Sequence, residues 1–325
     1  MIRPVQPMND SVFLNKNNKV DAKDGSSLPS VLVVIVNWNG KDILTECLRS
    51  LNDSNYPCDK YSIVVIDNGS IDGSQFAVSK SFPNVKVIAN KINLGYVKAV
   101  NQGLEYGLNQ GVEYIWVFNN DVVVAGDTLR RLVDVAGQDN KFGVIAPVVY
   151  EYENPDKIYN IGYRVNFWTG FCIKRQYGRD IFSDPEEKIA KVDTILGCSN
   201  LVRSDVIRKT GFFNPAYELY FEEADFNARV WKNGFQVIAV KEAKVWHRNA
   251  ATMDKFIFRR AYLLLRNHFI YQLLNAHILQ MAVFVPFYIF VHVPLFLGRG
   301  VIYFIKSKIT NCRNLSREDG VSVGN

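Results

Sequence analysis

Three short β-branched runs set the rhythm of this chain: Val31 to Val36, Tyr61 to Ile66 and Val85 to Ala89. Each is too short for a helix, and the first is apolar on both faces, as in a strand buried within a parallel sheet. Helical spacing follows the first run in Ile43, Leu44, Cys47, Leu48 and Leu51, and the third in Ala99, Val100, Leu104 and Leu108. Strand, polar turn and helix make half of a βαβ unit, so the pattern predicts an α/β fold with a mostly parallel sheet and crossover helices. A fourth run, Glu113 to Val122, is apolar until it ends in Asn119, Asn120 and Asp121. Further strands are expected at Phe142–Val149, at Val192–Arg203 with an interruption at Gly197, at Gln236–Val240 and at Ala243–Trp246. Asp127 is expected to cap a helix through Val135. Between Tyr150 and Lys191 the periodicity is lost in an aromatic, glycine-containing stretch, which reads as a substrate-facing insertion.

The polar residues that end these strands carry the chemistry. Three of the first four runs finish in amides or carboxylates: Asn37 and Asn39, Asp67 and Asn68, and Asn119 to Asp121. Ligands of open α/β sheets bind at that edge, where such groups can read a nucleobase and ribose hydroxyls. A carboxylate flanked by amides also suits Mg²⁺ or Mn²⁺ carrying a diphosphate. Any one of these residues alone would read as a cap or turn residue. Their recurrence at one structural position argues for a site. Neither a Gly-x-Gly-x-x-Gly turn nor a Gly-x-x-x-x-Gly-Lys loop occurs, so a Rossmann dehydrogenase and a P-loop enzyme are unsupported.

Further along, Tyr220 to Arg229 carries Glu222 and Glu223, which project in different directions from a helix, so that one can face a site. Acids in a first turn also suit the helix macrodipole, and Asp225 with Arg229 is an ordinary i,i+4 pair. The run Ala243 to Trp246 delivers His247. The order Asp121, acidic pair, His247 makes that histidine a candidate metal ligand.

Composition changes the picture mainly at the C-terminal end. The chain has 325 residues and a formal net charge of +6. From Lys241 onward there are twelve Lys or Arg against four acids, which leaves the first 240 residues at −2. Five scattered cysteines show no paired metal spacing, so a reducing setting is expected and a structural zinc is not. Residues 1–29 read as a loosely docked arm without a signal-peptide core. In residues 251–325, Lys255, Arg259, Arg260 and Arg266 interleave with aromatic residues before a nearly uncharged stretch from Ile278 to Gly298. Pro286 and Pro294 interrupt it, and Lys306, Lys308, Arg313 and Arg317 follow. A basic rim beside an apolar segment favours lipid head groups over nucleic acid as a partner. Helices lying in the cytoplasmic leaflet are preferred to a span, because a single crossing would leave the basic tail outside.

The set Val36-Asn37-Trp38-Asn39-Gly40, Ile66-Asp67-Asn68-Gly69-Ser70, Asn93-Leu94-Gly95, Phe118-Asn119-Asn120-Asp121, Tyr220-Phe221-Glu222-Glu223 and Val245-Trp246-His247 closely resembles the family 2 inverting glycosyltransferases of the GT-A fold. It is most similar to bacterial rhamnosyltransferase-type members that extend surface polysaccharides. The resemblance runs from about Ser30 to about His247, so residues 30–250 are expected to form the catalytic domain. It implies that Asp67 and Asn68 bind the donor nucleotide with Asn37, Asn39, Asn93 and Gly95. It further implies that Asn119, Asn120 and Asp121 meet diphosphate and a divalent cation (Mg²⁺ or Mn²⁺), that His247 is a second metal contact, and that Glu223 is the general base. Gly197, Cys198 and Glu222 would line the acceptor side. Two departures stand out: Asn119 occupies a place usually held by a carboxylate, and Glu223 one usually held by Asp. The expected partners are a nucleotide-diphospho-sugar, a saccharide or lipid-linked acceptor and the cytoplasmic face of the membrane. A catalytically silent nucleotide-sugar-binding subunit and a sugar-phosphate nucleotidyltransferase are the alternatives.

Overall fold

The computed structural model describes residues 28–179, 181–248 and 257–298. The expected arm before Leu28, together with Lys255, Lys306, Lys308, Cys312, Arg313 and Arg317, falls outside them. In chain order the first elements are β1 (Val31–Asn37), α1 (Lys41–Asn52), β2 (Tyr61–Asp67), α2 (Ser74–Ser81), β3 (Lys86–Ala89) and α3 (Tyr96–Gln110). Next come β4 (Tyr114–Asn119), β5 (Val122–Val124), α4 (Thr128–Ala136), β6 (Phe142–Glu151), β7 (Ile158–Asn160), β8 (Tyr163–Val165), β9 (Cys172–Lys174) and β10 (Ile189–Lys191). The chain continues through β11 (Ser199–Arg203), α5 (Ser204–Thr210), α6 (Glu222–Lys232), β12 (Gln236–His247), α7 (Ile257–Asn275) and α8 (Ile278–Phe287).

All seven residues of β1 are buried, as its two-sided apolar pattern requires. It lies between β2 and β4, parallel to both, and β3 extends the sheet beside β2. Beyond β4 comes antiparallel β11, then β6, then β12 parallel to β6, with β10 at the far edge. Two apolar layers cover the faces. One packs Leu44, Leu48 and Leu51 of α1 and Leu129 and Leu132 of α4 on Val33 and Ile35. The other packs Val97, Val100 and Leu104 of α3 on Leu32 and Val34. Each such side chain contributes roughly 1.5–3 kcal/mol of burial.

The expected sheet forms, with four differences. The stretch Tyr150–Lys191, expected as an aperiodic insertion, adds β7 beside β6 and β10 beside β12. Only Ser199–Arg203 of the run Val192–Arg203 is strand; Thr194 makes a lone bridge to Tyr163. The runs at Gln236–Val240 and Ala243–Trp246 are one strand, β12, with a register break between Val240 and Lys244. Val122 to Val124 form β5, whose three residues are too few to show a period. Asp127 sits at the start of α4 without capping it; its carboxylate pairs with Arg131 at 2.8 Å instead.

The chain divides into two compact units. Among the described residues, one comprises those up to Arg164 and those from Ile173 to Asn267; the other comprises Val165–Cys172 and those from His268 to Gly298. In the second, a ring nitrogen of His268 lies 2.8 Å from the Gly170 carbonyl and one of His292 lies 2.8 Å from that of Thr169. From Ile278 to Gly298, 21 residues form a helix long and apolar enough to cross a membrane, and most of it is exposed. Pro286 does not end this helix, which carries on through a wider π-type turn at Tyr288–His292.

Candidate active site

Strand register brings the polar strand ends together. Asn37 lies opposite Asp67, and Val36 opposite Asn119, so β1, β2 and β4 finish level with one another. On the other flank, β5 runs antiparallel to the end of β12 and sets Val122 opposite His247. A three-residue strand thus carries Asp121 to the histidine.

At the first edge nearly every polar group is engaged. The Asn37 amide donates to Asp67 Oδ1 at 2.9 Å, while Ser70 N and Gln75 Nε2 donate to Asp67 Oδ2 at 3.1 and 2.8 Å. Asp67 is 1% exposed, so its carboxylate organises the turn from within. Asn120 Nδ2 donates to Asn37 Oδ1 at 2.8 Å and ties β4 to this ring. Asn39, at φ 50°, donates its N–H to Ser70 Oγ and accepts from Ile71 N with its side chain. Asn68 Nδ2 reaches Asn93 Oδ1 at 2.9 Å and the Gly95 carbonyl at 3.2 Å, and Leu94 N donates to Asn68 Oδ1. Gly69, at φ 79°, allows this approach, because a Cβ there would lie 2.6 Å from the Ile92 carbonyl carbon.

The second edge is built differently. Asp121 Oδ1 is 3.2 Å from His247 Nε2, yet that oxygen is buried without an aligned hydrogen bond, and His247 Nδ1 has none either. One carboxylate oxygen each of Glu222 and Glu223 is also buried without a protein partner. Burial pushes Glu223 up to about 7, and it pushes Glu222 well above the usual carboxylate range, with the charge of Glu223 adding to the effect. Gly197 borders Glu223: a Cβ on it would lie 3.5 Å from Glu223 Cδ, so the glycine leaves open space over that carboxyl. Cys198 is buried, and its thiol is raised by burial and then by the charge of Asp121.

Tyr96 joins the two edges. Its hydroxyl donates to Asn119 Oδ1 at 3.0 Å and reaches the Gly197 carbonyl at 3.5 Å. Burial first, then the carboxylates of Glu222, Glu223 and Asp121, hold this phenol well above its usual range.

The sequence reading did not single out Tyr96, although it follows Asn93-Leu94-Gly95 directly and opens α3. It also missed Gln75 and the support behind Asp121. Arg248 N donates to the Asp121 carbonyl, the Arg248 guanidinium bridges Glu46 and Tyr152, and Tyr152 N donates to the His247 carbonyl. These contacts join distant stretches, so no local pattern marked them. The segment before Glu222 is strained: Glu218, Tyr220 and Phe221 have φ of 61°, 68° and 69°. Each costs about 1–3 kcal/mol, and such strain persists only where surrounding contacts hold it.

The residues present fit a divalent cation. A carboxylate oxygen and an imidazole nitrogen facing each other at 3.2 Å without hydrogen-bond alignment suit neighbouring ligands of one ion. Among the described residues no larger cluster of His, Cys, Asp and Glu surrounds a metal position. Two protein ligands leave coordination places for water and phosphate oxygens, as is usual where an ion bridges protein and substrate. The side chains of Asn119 and Asn120 are engaged with Tyr96 and Asn37.

This sheet, with polar strand ends on one flank and an acidic helix start on the other, is the GT-A fold of sugar-nucleotide transferases. The structure matches a mannosyltransferase from Pyrobaculum calidifontis in complex with GDP-Man and Mn²⁺, with a TM-score of 0.59 and 17% identity over 97% of this chain and 86% of that one. GalNAc-T7 with UDP, GalNAc and Mn²⁺ matches with a TM-score of 0.59 and 16% identity over 70% of this chain and 45% of its own. The sequence profile of the glycosyl transferase family 2 domain matches residues 32–200, and the chain belongs to that family of glycosyltransferases. A curated relative, the N-acetylglucosaminyl-diphospho-decaprenol L-rhamnosyltransferase of Mycobacterium tuberculosis, is 27% identical over 208 residues, covering 58% of this chain and 67% of that protein. The glycosyltransferase AglE of Haloferax volcanii is 32% identical over 83 residues, 25% of this chain and 27% of its own.

Proposed function

We propose that this chain transfers a sugar from a nucleoside-diphosphate donor to an acceptor hydroxyl by a single displacement that inverts the anomeric centre. The observation that carries the reading is Glu223, whose carboxyl is raised by burial to about 7, keeps one buried oxygen without a protein partner and lies against Gly197. A hydroxyl is a poor nucleophile until its proton is taken, and a base whose pKa lies near the working pH is best suited to take it. Glu223 accepts that proton as the oxygen attacks C1. Glu222 beside it, whose carboxyl is raised well above the usual range by burial and the charge of Glu223, lines the acceptor side. The ring of Asn37, Asp67, Ser70 and Gln75 fixes the turn on which the nucleoside lies, and the Asn93–Gly95 loop closes its flank.

Asp121 and His247 would hold a divalent cation, which when bound neutralises the charge on the departing diphosphate. Arg248, Tyr152 and Glu46 keep both ligands in place from behind. No residue has to protonate the leaving group, so a single acid–base carboxyl suffices, unlike the pair a glycosidase needs.

The substrates follow from chemistry and likeness. The name of the mycobacterial relative favours rhamnose as the donor sugar and a lipid-linked diphosphosaccharide as the acceptor. The exposed apolar helix from Ile278 to Gly298 supports a place at the cytoplasmic face of a membrane, where such an acceptor is presented.

The test is incubation with a panel of labelled nucleotide sugars, dTDP-rhamnose first, together with a membrane lipid extract. Label moving into the lipid phase, stopped by EDTA and restored by Mn²⁺, is the expected result. Nucleotide binding with no transfer from any donor would identify a silent binder instead. Pyrophosphate released from a nucleoside triphosphate and a sugar phosphate would identify a nucleotidyltransferase.

A further inference from the structure

The segment that aims the proposed base is held by a residue far along the chain. Asn267, on α7, is 0% exposed. Its single NH₂ group faces three backbone carbonyls, those of Tyr217 at 2.7 Å, Leu219 at 2.7 Å and Tyr220 at 2.9 Å. Two protons serve three acceptors, so at least one is shared. Between these carbonyls the backbone is unusual. Leu219 N donates to Tyr217 O at 2.7 Å around Glu218, whose φ of 61° and ψ of −55° define the rare, strained γ-turn of positive φ. Tyr220 and Phe221 follow with positive φ, and α6 begins at Glu222.

Side chains other than glycine leave such conformations when nothing opposes it. A three-residue tight turn points successive carbonyls to one side, where they repel each other, and a buried donor between them offsets that repulsion. The neighbouring contacts on α7 act in the same sense: Arg266 donates to the Ala216 carbonyl at 2.8 Å, and Arg259 pairs with Glu218 at 3.3 Å. These lie at the rim, whereas the Asn267 amide is fully enclosed, so water cannot replace it.

We infer that Asn267 is a positioning residue, whose amide holds the Tyr217–Phe221 segment in its turn with three positive-φ residues and thereby aims Glu223 at the acceptor hydroxyl. The inference rests on the reading of Glu223 as the base. It adds a requirement that the catalytic helix start be held by α7, the helix that leads toward the apolar segment. It also explains why an amide stands on a helix face whose neighbour one turn earlier, Leu263, is apolar and buried.

The experiment compares full-length wild type with Asn267→Leu, which keeps the branched shape of the side chain, though not its size, and removes the donors. Hydrogen exchange reads the amides of residues 218–225, and steady-state transfer uses dTDP-rhamnose or whichever panel donor the wild type accepts. Exchange in that segment should quicken about tenfold while the amides of residues 68–75 stay protected. The kcat should fall about 100-fold with the donor KM changed less than about threefold, because misaiming a base harms the reacting geometry and not donor binding. The acid limb of the pH profile should move to lower pH as Glu223 gains access to water. Asn267→Ser, which retains one donor, should lie between, and it gives the same readouts if the leucine variant does not fold.

Unchanged exchange in residues 218–225 overturns the clamp whatever the activity. Faster exchange with kcat intact reduces Asn267 to a structural residue and overturns the positioning role. If the wild type moves no sugar while Asn267→Leu still frees the segment, the reading of Glu223 falls and the clamp stands.

Discussion

At the edge built by β1 and β2, both carboxylate oxygens of Asp67 accept hydrogen bonds, as do the side-chain carbonyls of Asn37, Asn39 and Asn68. At the edge built by β5, β12 and α6, one oxygen each of Asp121, Glu222 and Glu223 and Nδ1 of His247 is buried without a partner. A buried polar group left unpaired costs about 1–3 kcal/mol, more when charged, so the second edge is held at the expense of stability. The contrast separates two tasks. On the proposed function, the first edge presents a fixed surface to the nucleoside, and the second leaves Glu223 and the pair Asp121 and His247 open to the acceptor hydroxyl, the cation and the diphosphate. Substitutions at the first should therefore act mostly on folding, and those at the second mostly on turnover.

The largest effect should come from Glu223→Gln. Transfer should fall by about 10³–10⁴-fold while donor binding, read by calorimetry, stays within a few fold. The same change should raise the melting temperature above neutral pH. The fold retains on Glu223 a proton that the unfolded chain has released above about pH 4.5, so wild-type stability declines between that pH and about 7. Because Glu223 is only partly shielded, the gain at pH 8 is on the order of 1–2 kcal/mol, vanishing at pH 4. If the melting temperature falls in alkali instead, the two edges do not differ as described.

Asp121→Asn comes next, with transfer down about 100-fold and the Mn²⁺-dependent rise in melting temperature of the wild type lost. A retained Mn²⁺ shift would place the cation elsewhere. The pH dependence of kcat sharpens the comparison further. Activity should climb about tenfold per unit below pH 7 and level off above it, and this limb should disappear in the residual activity of Glu223→Gln.

Asp67→Asn tests the first edge. An amide there turns a donor toward Ser70 N or Gln75, so unfolding free energy should drop by about 1–3 kcal/mol in a denaturant titration while kcat of the folded fraction changes only a few fold. The smallest effect is expected from Gly197→Ala. Its methyl would come within ordinary contact of Glu223 Cδ, so it should raise the acceptor KM two- to threefold or so without altering the melting temperature.

Much of this was legible in the sequence wherever chemistry and local period coincide. The strands through Val36, Ile66 and Phe118 are buried β-branched or aromatic runs, and their ends announce Asn37, Asp67 and Asp121 one after another. The pairing of Asp225 with Arg229, seen at 2.9 Å, follows from helical spacing alone. What stayed hidden depends on register and long-range contact. Val122 to Val124 are too few to show a period, yet their pairing with β12 brings His247 to Asp121. Tyr96 looks like an ordinary first-turn aromatic until the sheet places Asn119 and Gly197 against its hydroxyl. Asn267 lies on a helix with no polar motif, and only the carbonyls it meets reveal its use.

The account stands or falls most directly on the stereochemistry of transfer. With a donor of known anomeric configuration, the product's anomeric proton and carbon signals can be read by NMR after a single round. One displacement with Glu223 as the base predicts that the new glycosidic bond has the opposite configuration from the donor. A product of retained configuration would require a second nucleophile in the cleft and would contradict it.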